Sequence, residues 1–248
     1  MIFYFTGTGN CLYVAKKIGG ELISISQAYK KQNQIYRDDV IGFVCPTYAV
    51  GIPRIVQKFI CNNTFQAKYS FAVMTCGGML GSSLMQFEKL VSSQGLTLDY
   101  TNKVVMIDNY GMKNMSKKLR NHNVQKETMV IEKIAEDIRQ QKQSLCKSNL
   151  LMVGLTKLLN SSSGLCYDKA DKHFTVQTDK CVKCGLCQRI CPADNISLSP
   201  YPTFSHKCEG CYACIHACPE KVISPNRYPV EKQYRHPQIS LSELLNKS

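Results

Sequence analysis

"MIFYFTGTGNC" (residues 1–11) begins with an apolar run and then changes to glycines and small polar side chains. An apolar run without polar alternation is typical of a strand that is buried on both faces in a parallel sheet. Residues 10–19 follow, with Leu12, Ala15 and Ile18 at the spacing of one helical face. A loop between such a strand and a helix can direct backbone N–H groups at an anion. The stretch therefore predicts a buried strand, an anion-binding loop and a helix.

The alternation of strand-like and helix-like segments continues to about residue 145. Further strands are predicted at 21–25, 39–46, 69–76 and 102–110, and further helices at 53–61, 81–92 and 125–143. Strands that are separated by helix-length segments form βαβ units and a parallel sheet. The first part of the chain is therefore predicted to be α/β, with a flavodoxin-like, doubly wound, five-stranded parallel sheet.

Eight of the fourteen cysteines fall in a repeated pattern, C-x-x-C-x-x-C-x-x-x-C-P. The first copy is CVKCGLCQRICP (181–192) and the second is CEGCYACIHACP (208–219). Ile196 and Ile223 keep the same offset as the cysteines, which indicates an internal repeat. Clustered cysteines in a cytosolic chain suggest metal binding rather than disulfides, so the repeat predicts a metal-containing domain.

The spacing within each copy suits a cubane iron–sulfur cluster. Three cysteines at this spacing bind three irons of one 4Fe–4S cluster, and the fourth, which precedes proline, binds the other cluster. One predicted ligand set is Cys181, Cys184, Cys187 and Cys218, and the other is Cys208, Cys211, Cys214 and Cys191. Such crossed ligation would join the two copies into one small core, since metal binding contributes directly to folding.

Two other interpretations of the repeat are zinc knuckles and a disulfide framework. Zinc sites usually pair two C-x-x-C hooks and do not need four cysteines that end in C-P. The two copies closely resemble the bacterial dicluster ferredoxins, cysteine for cysteine. The resemblance implies a second, smaller α+β domain that holds two 4Fe–4S clusters.

The loop TGTGNC (6–11) differs from two common phosphate loops. No Gly-Lys-Ser/Thr follows it, as a Walker A loop requires, and Leu12 occupies the last glycine position of G-x-G-x-x-G. The loop resembles the phosphate loop of flavodoxins, which holds the FMN phosphate without a counter-charge. The residues that this resemblance assigns to the phosphate are Thr6, Gly7, Thr8, Gly9, Asn10 and Cys11. Cys11 stands where the family usually has Ser or Thr, and a thiol is a weaker donor.

Two more loops follow predicted strands at the same edge of the sheet, PTYAVGIP (46–53) and TCGG (75–78). Ligands of open α/β sheets bind at the carboxyl ends of the strands. The flavodoxin resemblance implies that the two loops flank the isoalloxazine ring, with Tyr48 stacked on it. Many relatives carry Trp near Val50, so one ring face is expected to be more open here. The residues assigned to the flavin are Pro46, Thr47, Tyr48, Ala49, Thr75, Cys76, Gly77 and Gly78.

The combination of flavodoxin-type loops with a ferredoxin-type cysteine repeat resembles a family of flavodoxin–ferredoxin fusion proteins of anaerobic bacteria and archaea. The segments PTYAVGIPRIV (46–56) and DNYGM (108–112) also look typical of that family. We expect a flavodoxin-like FMN-binding domain at 1–147, a helical connector at 148–172, a ferredoxin-like domain at 173–225 and a C-terminal arm at 226–248. The composition supports this division, because Ser and Gly interrupt the connector and cysteine and proline become frequent after about residue 175.

The chain is basic, with a formal net charge of +13 at pH 7. Two tetracysteinyl clusters would add about −4 and a flavin phosphate about −2, which leaves roughly +7. The remaining charge favours a redox partner with an acidic docking face, or weak affinity for nucleic acid or a membrane surface, and a merely solvated basic face is the alternative. No DNA-reading module supports nucleic-acid binding. Because no apolar run reaches the roughly 20 residues of a membrane span and no basic leader is evident, a cytoplasmic location is expected.

The remaining candidate residues form no ligand pattern. Cys45, Cys61, Cys146 and Cys166 are expected to be buried as small hydrophobic residues, with additional ligands as the alternative. His206 and His216 are expected to be solvated loop residues, and the alternative is that they flank a cluster and tune it by charge. The densest basic stretch, 112–122, is either a docking patch for an acidic partner or a solvated loop.

No nicotinamide fingerprint and no catalytic constellation is evident, so electrons are expected to arrive from another protein. The preferred hypothesis is electron transfer between two 4Fe–4S clusters and FMN, within the chain and to a redox partner in anaerobic metabolism. The alternative is an FMN-dependent reductase of a small organic acceptor that is fed by the clusters. A redox sensor is a third and weaker hypothesis.

Overall fold

The computed structural model describes residues 1–49, 51–110, 114–146, 170–225 and 230–245. Most of the connector predicted at 148–172 lies outside these residues, and so do Val50 and Cys166. No helix in the described ranges is both long enough and apolar enough to cross a membrane.

The first part of the chain forms one sheet of five parallel strands. The strands are β1 (Ile2–Tyr4), β2 (Leu22–Ser24), β3 (Ile35–Pro46), β4 (Thr64–Cys76) and β5 (Tyr100–Val105). Their order across the sheet is β2-β1-β3-β4-β5, and every pair is parallel. This is the flavodoxin-like doubly wound order, in which the connections change direction between β1 and β3. The predicted α/β fold class is therefore confirmed.

Helices cover both faces of this sheet. They are α1 (Asn10–Ile18), α2 (Ile25–Ala28), α3 (Arg54–Cys61), α4 (Ser83–Ser93), α5 (Met115–Asn121) and α6 (Val124–Arg139). Neighbouring side chains of a strand point to opposite faces. Accordingly, Phe3 packs with the face that carries α3 and α4, and Tyr4 packs with the face that carries α1 and α6. Alternate positions of each buried strand thus supply two cores.

The core under α3 and α4 is rich in aromatic side chains. The ring centroids of Phe3 and Phe59 lie 5.0 Å apart, and those of Phe43 and Phe87 lie 5.3 Å apart. Edge-on and tilted contacts at such distances are favourable because ring edges are positive and ring faces negative. This packing connects β1 and β3 rigidly to two helices and so positions the strand ends.

Several element boundaries differ from the predictions. β3 and β4 begin earlier than predicted, at Ile35 and Thr64, because the two strands stay paired beyond the buried core, where their side chains are partly exposed. β5 ends at Val105 rather than at Tyr110, whose backbone N–H donates to Asp108 Oδ1 at 2.8 Å in a turn. The turn arises because a short Asp side chain competes for backbone donors.

The helices show two further differences from the prediction. α5 lies within the basic stretch that was considered as a loop, and its last turn carries Lys118 and Arg120, which suit the negative end of a helix dipole. α6 begins after Asn123, whose side chain accepts a hydrogen bond from the backbone N–H of Lys126 at 2.8 Å. Asparagine at this position satisfies one of the unpaired N–H groups of the first turn.

The cysteine-rich part is small and α+β, as predicted. Each cysteine copy contains a short helix, α7 (Leu186–Ile190) and α8 (Ala213–Ala217). Two antiparallel pairs complete it, β6 (Phe174–Val176) with β9 (Ile223–Pro225) and β7 (Ile196–Leu198) with β8 (Pro202–Phe204). The apolar side chains of Ile190 and Ile215 belong to the same buried cluster as α1 and α6, so the core continues from the sheet into this part.

Residues 230–245, which end in helix α9 (Leu241–Leu245), return to the sheet domain. The His236 ring stacks on Tyr13 of α1 with centroids 3.9 Å apart, and its backbone N–H donates to the carbonyl of Thr8 at 2.9 Å. Lys16 of α1 pairs with Glu243 at 2.5 Å. The C-terminal segment is therefore an integral part of the fold that packs on the first loop and the first helix.

Candidate cofactor-binding site

A cleft of about 540 Å³, partly open to solvent, lies at the carboxyl ends of the central strands. Its walls come from the loops after β1, β3, β4 and β5, together with Gly210 and Tyr212 of the second cysteine copy. A cleft at the point where strand order reverses is the usual ligand site of a doubly wound sheet.

The structure brings most of the residues predicted for FMN together in this cleft. The predicted residues that line it are Thr6, Gly7, Thr8, Asn10, Cys11, Pro46, Thr47, Tyr48, Thr75, Cys76 and Gly77. Gly9, Ala49 and Gly78 do not line it. Gly9 has a φ of +102°, and a Cβ there would lie 3.1 Å from Ile239 and 3.2 Å from His236, so this glycine faces the C-terminal segment.

The first loop is tied down by its own polar side chains. Thr6 Oγ1 accepts a hydrogen bond from the N–H of Gly9 at 3.0 Å. The side-chain amide of Asn10 donates to the carbonyl of Ile107 at 3.0 Å, and its oxygen accepts from the Tyr234 hydroxyl at 2.7 Å. One amide N–H and the oxygen of Asn10 are thus paired, and the role of Asn10 as a donor to a phosphate stays a prediction. The loop is pre-organised by contacts to β5 and to the C-terminal segment.

Cys11 is buried and uncharged. Its sulfur lies 3.2 Å from Thr75 Oγ1, and burial raises the pKa of its thiol to about 12. A neutral thiol at the start of α1 adds no negative charge against an anion in the cleft. The cysteine that replaces the usual Ser or Thr is thus compatible with a phosphate in this loop.

The difference in burial between cysteines predicts their reactivity. Cys61 is exposed at the end of α3, contrary to the expectation that it is buried, whereas Cys11 and Cys45 are at most 1% exposed. Alkylation requires an accessible thiolate. We expect iodoacetamide to modify Cys61 in the native protein while Cys11 and Cys45 react only after unfolding. Peptide mass spectrometry over time measures the order, and early modification of Cys11 would show that its loop opens.

Asn109 joins the two parts of the chain at the edge of the cleft. Its side-chain amide donates to Thr8 Oγ1 at 3.1 Å and to the carbonyl of Cys211 at 3.3 Å. Its own carbonyl lies 2.9 Å from His216 Nε2. Asn109 is a residue of this edge that the sequence did not predict. It falls within the strand predicted at 102–110, and only the end of β5 at Val105 places it in a loop at the carboxyl edge of the sheet.

His216 is buried in α8 and is not the solvated loop residue that was expected. The backbone N–H of Tyr234 donates to its Nδ1 at 2.9 Å, so Nε2 carries the proton and donates to the Asn109 carbonyl. Burial lowers the pKa of His216 to about 4, which agrees with a neutral ring. The ring thus connects the second cysteine copy to the β5 loop and to the C-terminal segment.

Substitution of Asn109 tests whether its amide holds the interface. Asn109→Ala removes two donated hydrogen bonds and leaves the Cys211 carbonyl without one of its partners. We expect a loss of about 1–3 kcal/mol in the free energy of unfolding. Asn109→Asp keeps the shape but removes the donor, so it should destabilise at least as much. Denaturant unfolding measures both, and an Asp variant as stable as wild type would contradict the donor role.

A second contact fixes the cysteine-rich part against α3. Arg54 Nη2 donates to the carbonyl of Cys208 at 2.6 Å, and the N–H of Ile55 donates to Glu209 Oε2 at 3.2 Å. The carboxylate of Glu209 thereby accepts from the first turn of α3, where a helix has unpaired N–H groups. Together with Asn109, these contacts hold the second cysteine copy on two sides of the cleft.

A separate cavity, with about 340 Å³ of empty space that is partly open to solvent, lies within the cysteine-rich part. The cysteines that line it are Cys181, Cys184, Cys187 and Cys218. Three of them come from the first copy and the fourth from the second copy. Among the other lining residues, Val182 is 61% exposed, so this cavity lies near the surface.

The other four predicted ligands are gathered around Cys214. Burial is the main reason that the pKa of the Cys214 thiol is raised, and its cysteine neighbours raise it further; those neighbours are Cys211, Cys191, Cys208 and Cys187. Two sulfurs of the group accept backbone N–H donors at 3.3 Å, Cys208 from Gly210 and Cys191 from Asn195. N–H donors to sulfur are the contacts by which proteins adjust iron–sulfur potentials.

No disulfide joins any of the thirteen cysteines in the described part of the chain. In the same part, no three His, Cys, Asp or Glu side chains form a group that could hold a metal ion. The assignment of individual cysteines to two clusters therefore stays a prediction.

Comparison with protein families identifies one segment. Residues 174–197, which contain the first cysteine copy, match the model of a 4Fe-4S binding domain. The chain thus joins a flavodoxin-like α/β sheet to a segment that is similar to a 4Fe-4S binding domain. The sequence has no match among curated proteins.

Solved structures resemble the chain only weakly and over about half of its length. The Trp repressor binding protein from Bacillus subtilis is 14% identical with a TM-score of 0.31, over 49% of this chain and 98% of that chain. Two-electron reduced flavodoxin from Megasphaera elsdenii is 18% identical with a TM-score of 0.33, over 55% of this chain and 99% of that chain. Likenesses at this level carry no argument about function, and the strand order alone defines the fold.

Proposed function

We propose that this chain is an electron-transfer protein that binds FMN in the cleft and two 4Fe–4S clusters in the cysteine-rich part. Bound iron–sulfur clusters exchange single electrons, and FMN exchanges one or two. The proposed donor or acceptor outside the chain is a redox protein with an acidic docking face. The proposed division is 1–147 for the flavin domain, 148–172 for the connector, 173–225 for the cluster domain and 226–248 for the C-terminal arm.

The cleft suits FMN in its chemistry. Its phosphate end consists of glycine and small hydroxyl side chains at the start of α1, and such a helix start attracts anions. The nearby carboxylate of Asp108 is paired with Lys118 at 2.8 Å, which offsets its charge. Tyr48 and Tyr110 supply aromatic surface for a flat ring system. Gly77 also lines the cleft, and the close packing of Asp108 requires glycine at this position, because a Cβ there would lie 2.4 Å from Asp108 Cβ.

The cysteines suit two clusters in their grouping. Cys181, Cys184 and Cys187 of the first copy line one cavity with Cys218 of the second, which supports crossed ligation at that site. At the other proposed site, Cys191 of the first copy is among the neighbours of Cys214, together with Cys208, Cys211 and also Cys187. In this arrangement the protein supplies thiolates, backbone N–H donors and an apolar surround.

One observation carries the proposal most strongly: the flavin-type cleft and the second cysteine copy share a wall. The Cys211 carbonyl oxygen approaches the first loop so closely that a Cβ on Gly7 would lie 2.5 Å from it. Gly210 and Tyr212, on either side of Cys211, both line the cleft. A short separation between cofactors is what electron transfer within one chain needs, and this shared wall supports it.

The charge of the chain supports a protein partner. The formal net charge is +13, and roughly +7 would remain after two clusters and FMN are bound. Positive surfaces steer negatively charged partners in a way that salt weakens. We therefore expect the rate of electron exchange with an acidic redox protein to fall as ionic strength rises. A rate that is independent of salt, measured by stopped-flow, would count against this choice of partner.

Anaerobic reconstitution tests the whole proposal. The full chain is loaded with iron, sulfide and FMN, and iron, acid-labile sulfide and flavin are then measured per chain. The reduced protein is mixed with purified redox proteins and, separately, with small organic acceptors. Two clusters, one FMN and exchange with a protein are expected. Multiple turnover on a small molecule without a second protein would instead support the reductase alternative, and bound zinc without sulfide would reject the proposal.

A further inference from the structure

One difference between the two cysteine copies lies at a position where both backbones are left-handed. The residue after the second cysteine is Gly185 in the first copy and Tyr212 in the second. Each residue immediately precedes a short helix, α7 or α8, and each has a left-handed backbone, with φ of 75° and 55° respectively. The repeat therefore imposes the same backbone conformation on a glycine and on a tyrosine.

That conformation is unfavourable for tyrosine. Glycine adopts a positive φ readily because it has no Cβ, whereas a bulky residue there is uncommon. Residues held in such regions concentrate at functional sites, where the surrounding structure maintains them. Tyr212 is therefore a bulky residue at a position where the left-handed backbone favours glycine. We infer that its side chain has a function that offsets this cost.

The location of Tyr212 indicates the role. Tyr212 lines the cleft and is 6% exposed. Its ring contacts Tyr110, another cleft residue, with centroids 5.5 Å apart at 70°, and Phe174 with centroids 5.7 Å apart at 41°. Tyr48 lines the same cleft from the loop after β3. The cleft therefore has aromatic residues from both the sheet domain and the cysteine-rich part.

The equivalent position in the first copy has no such surroundings. Gly185 lines the cysteine cavity, and the nearest atom to a Cβ built there is Leu198 Cδ1 at 3.6 Å. Space alone would permit a side chain at Gly185, so the glycine reflects the backbone requirement. The second copy has a tyrosine at this position instead, and the second copy is the one that borders the cleft.

We propose that Tyr212 is an aromatic wall of the flavin site, supplied by the cysteine-rich part of the chain. This inference rests on the proposed function. It implies that the flavin site is complete only when the second cysteine copy is folded against the sheet. Tight FMN binding then depends on the cysteine-rich part as well as on the three loops of the sheet domain.

The test is the affinity of the full-length chain for FMN, with the clusters reconstituted anaerobically. Quenching of FMN fluorescence on binding gives the dissociation constant. Tyr212→Gly is expected to bind FMN about tenfold more weakly, because an aromatic contact and its buried area are lost. Iron and sulfide per chain should stay at the wild-type level, since glycine is the residue that the first copy uses here. Tyr212→Phe keeps the ring and should bind within about twofold of wild type.

Matched variants separate the possible outcomes. Tyr201 lies in the same part of the chain, outside the residues that line the cleft, with the Lys183 ammonium 5.0 Å from its ring centroid. Tyr201→Ala should leave the FMN affinity unchanged. If wild type binds FMN and Tyr212→Gly binds it equally well, the inference fails while the proposed function stands. If wild type binds no FMN, the proposed function fails.

A second substitution guards against loss of the cluster. Tyr212→Asn introduces a small residue that tolerates a left-handed backbone. It should lose FMN affinity and keep its iron. If FMN affinity falls only in variants that also lose iron, Tyr212 supports the cluster loop and the proposed contact with the flavin is overturned.

Discussion

Replacement of Cys218 by alanine should remove the cluster proposed for the first cysteine copy, and replacement of Cys191 should remove the other one. Each variant should retain about half of the iron and acid-labile sulfide of wild type. The reason is the crossed grouping: Cys218 lines the cavity of Cys181, Cys184 and Cys187, and Cys191 lies among the neighbours of Cys214. If each copy instead bound its own cluster with all four of its cysteines, Cys218→Ala would remove the cluster of the second copy and Cys191→Ala would remove that of the first copy.

Spectroscopy on matched variants identifies which cluster remains. In the Cys191→Ala protein, a further Cys187→Ala change should remove the remaining cluster, whereas a further Cys208→Ala change should leave it. Cys61→Ala is the control, because Cys61 is exposed on α3 and lies outside both cysteine groups. Iron analysis and electron paramagnetic resonance of the reduced proteins give the result. Retention of both clusters in Cys218→Ala would reject the ligand assignment.

Loss of a cluster should also weaken the fold of the cysteine-rich part. Metal-binding free energy contributes to folding in small metal-containing domains, and the short elements here have little core of their own. We expect limited proteolysis to cut residues 174–225 of the Cys218→Ala protein much faster than the same residues of wild type, while the sheet domain stays protected. Equal cleavage rates in both proteins would show that this part folds without its clusters.

Substitution of Gly7 by alanine should have the second large effect, on the contact between the two parts of the chain. The added Cβ would lie 2.5 Å from the Cys211 carbonyl oxygen, 3.1 Å from Cys211 Cβ and 3.2 Å from the Tyr48 hydroxyl. The carbonyl oxygen is backbone and cannot rotate away, so the loop or the cysteine copy must move. Overpacking of this kind costs about 1–3 kcal/mol. Because Gly7 and Tyr48 both line the cleft, the FMN affinity should fall by roughly tenfold or more.

Gly51→Ala is the matched control for this change. The nearest atom to a Cβ on Gly51 is Gln86 Oε1 at 3.3 Å, the end of a flexible side chain. Gly51→Ala should keep the stability of wild type, and thermal unfolding of both variants measures the difference. Tyr201→Ala, outside the cleft, is the control for FMN affinity in the titration. A Gly7→Ala protein that matches the control would mean that the cysteine-rich part does not rest on the first loop.

The sequence predicted the features that depend on short-range patterns. The apolar runs at 1–5 and 39–46 identified two central strands because a strand buried on both faces shows no alternation. The cysteine spacing indicated a 4Fe–4S segment, and residues 174–197 match such a domain. The predicted site loops came from a general rule about strand ends, and most of their residues line one cleft.

Side-chain roles were predicted less well. His216 was expected in solvent, yet it is buried between the β5 loop and the C-terminal segment. Cys61 was expected in the core, yet it lies at the exposed end of α3. In each case the outcome depends on which distant segment packs on the residue, and local composition carries no information about that.

The sequence by itself therefore determined the parallel sheet, the cysteine repeat and the loops at the strand ends. Only the tertiary structure showed that the second cysteine copy closes the cleft, through Cys211 against Gly7, Tyr212 beside Tyr110 and Asn109 between the two parts. The physical reason is the separation along the chain. The periodicity of apolar residues and the spacing of ligands involve only a few neighbouring residues, whereas these contacts join segments about a hundred or more residues apart. Such contacts form only when whole elements pack together.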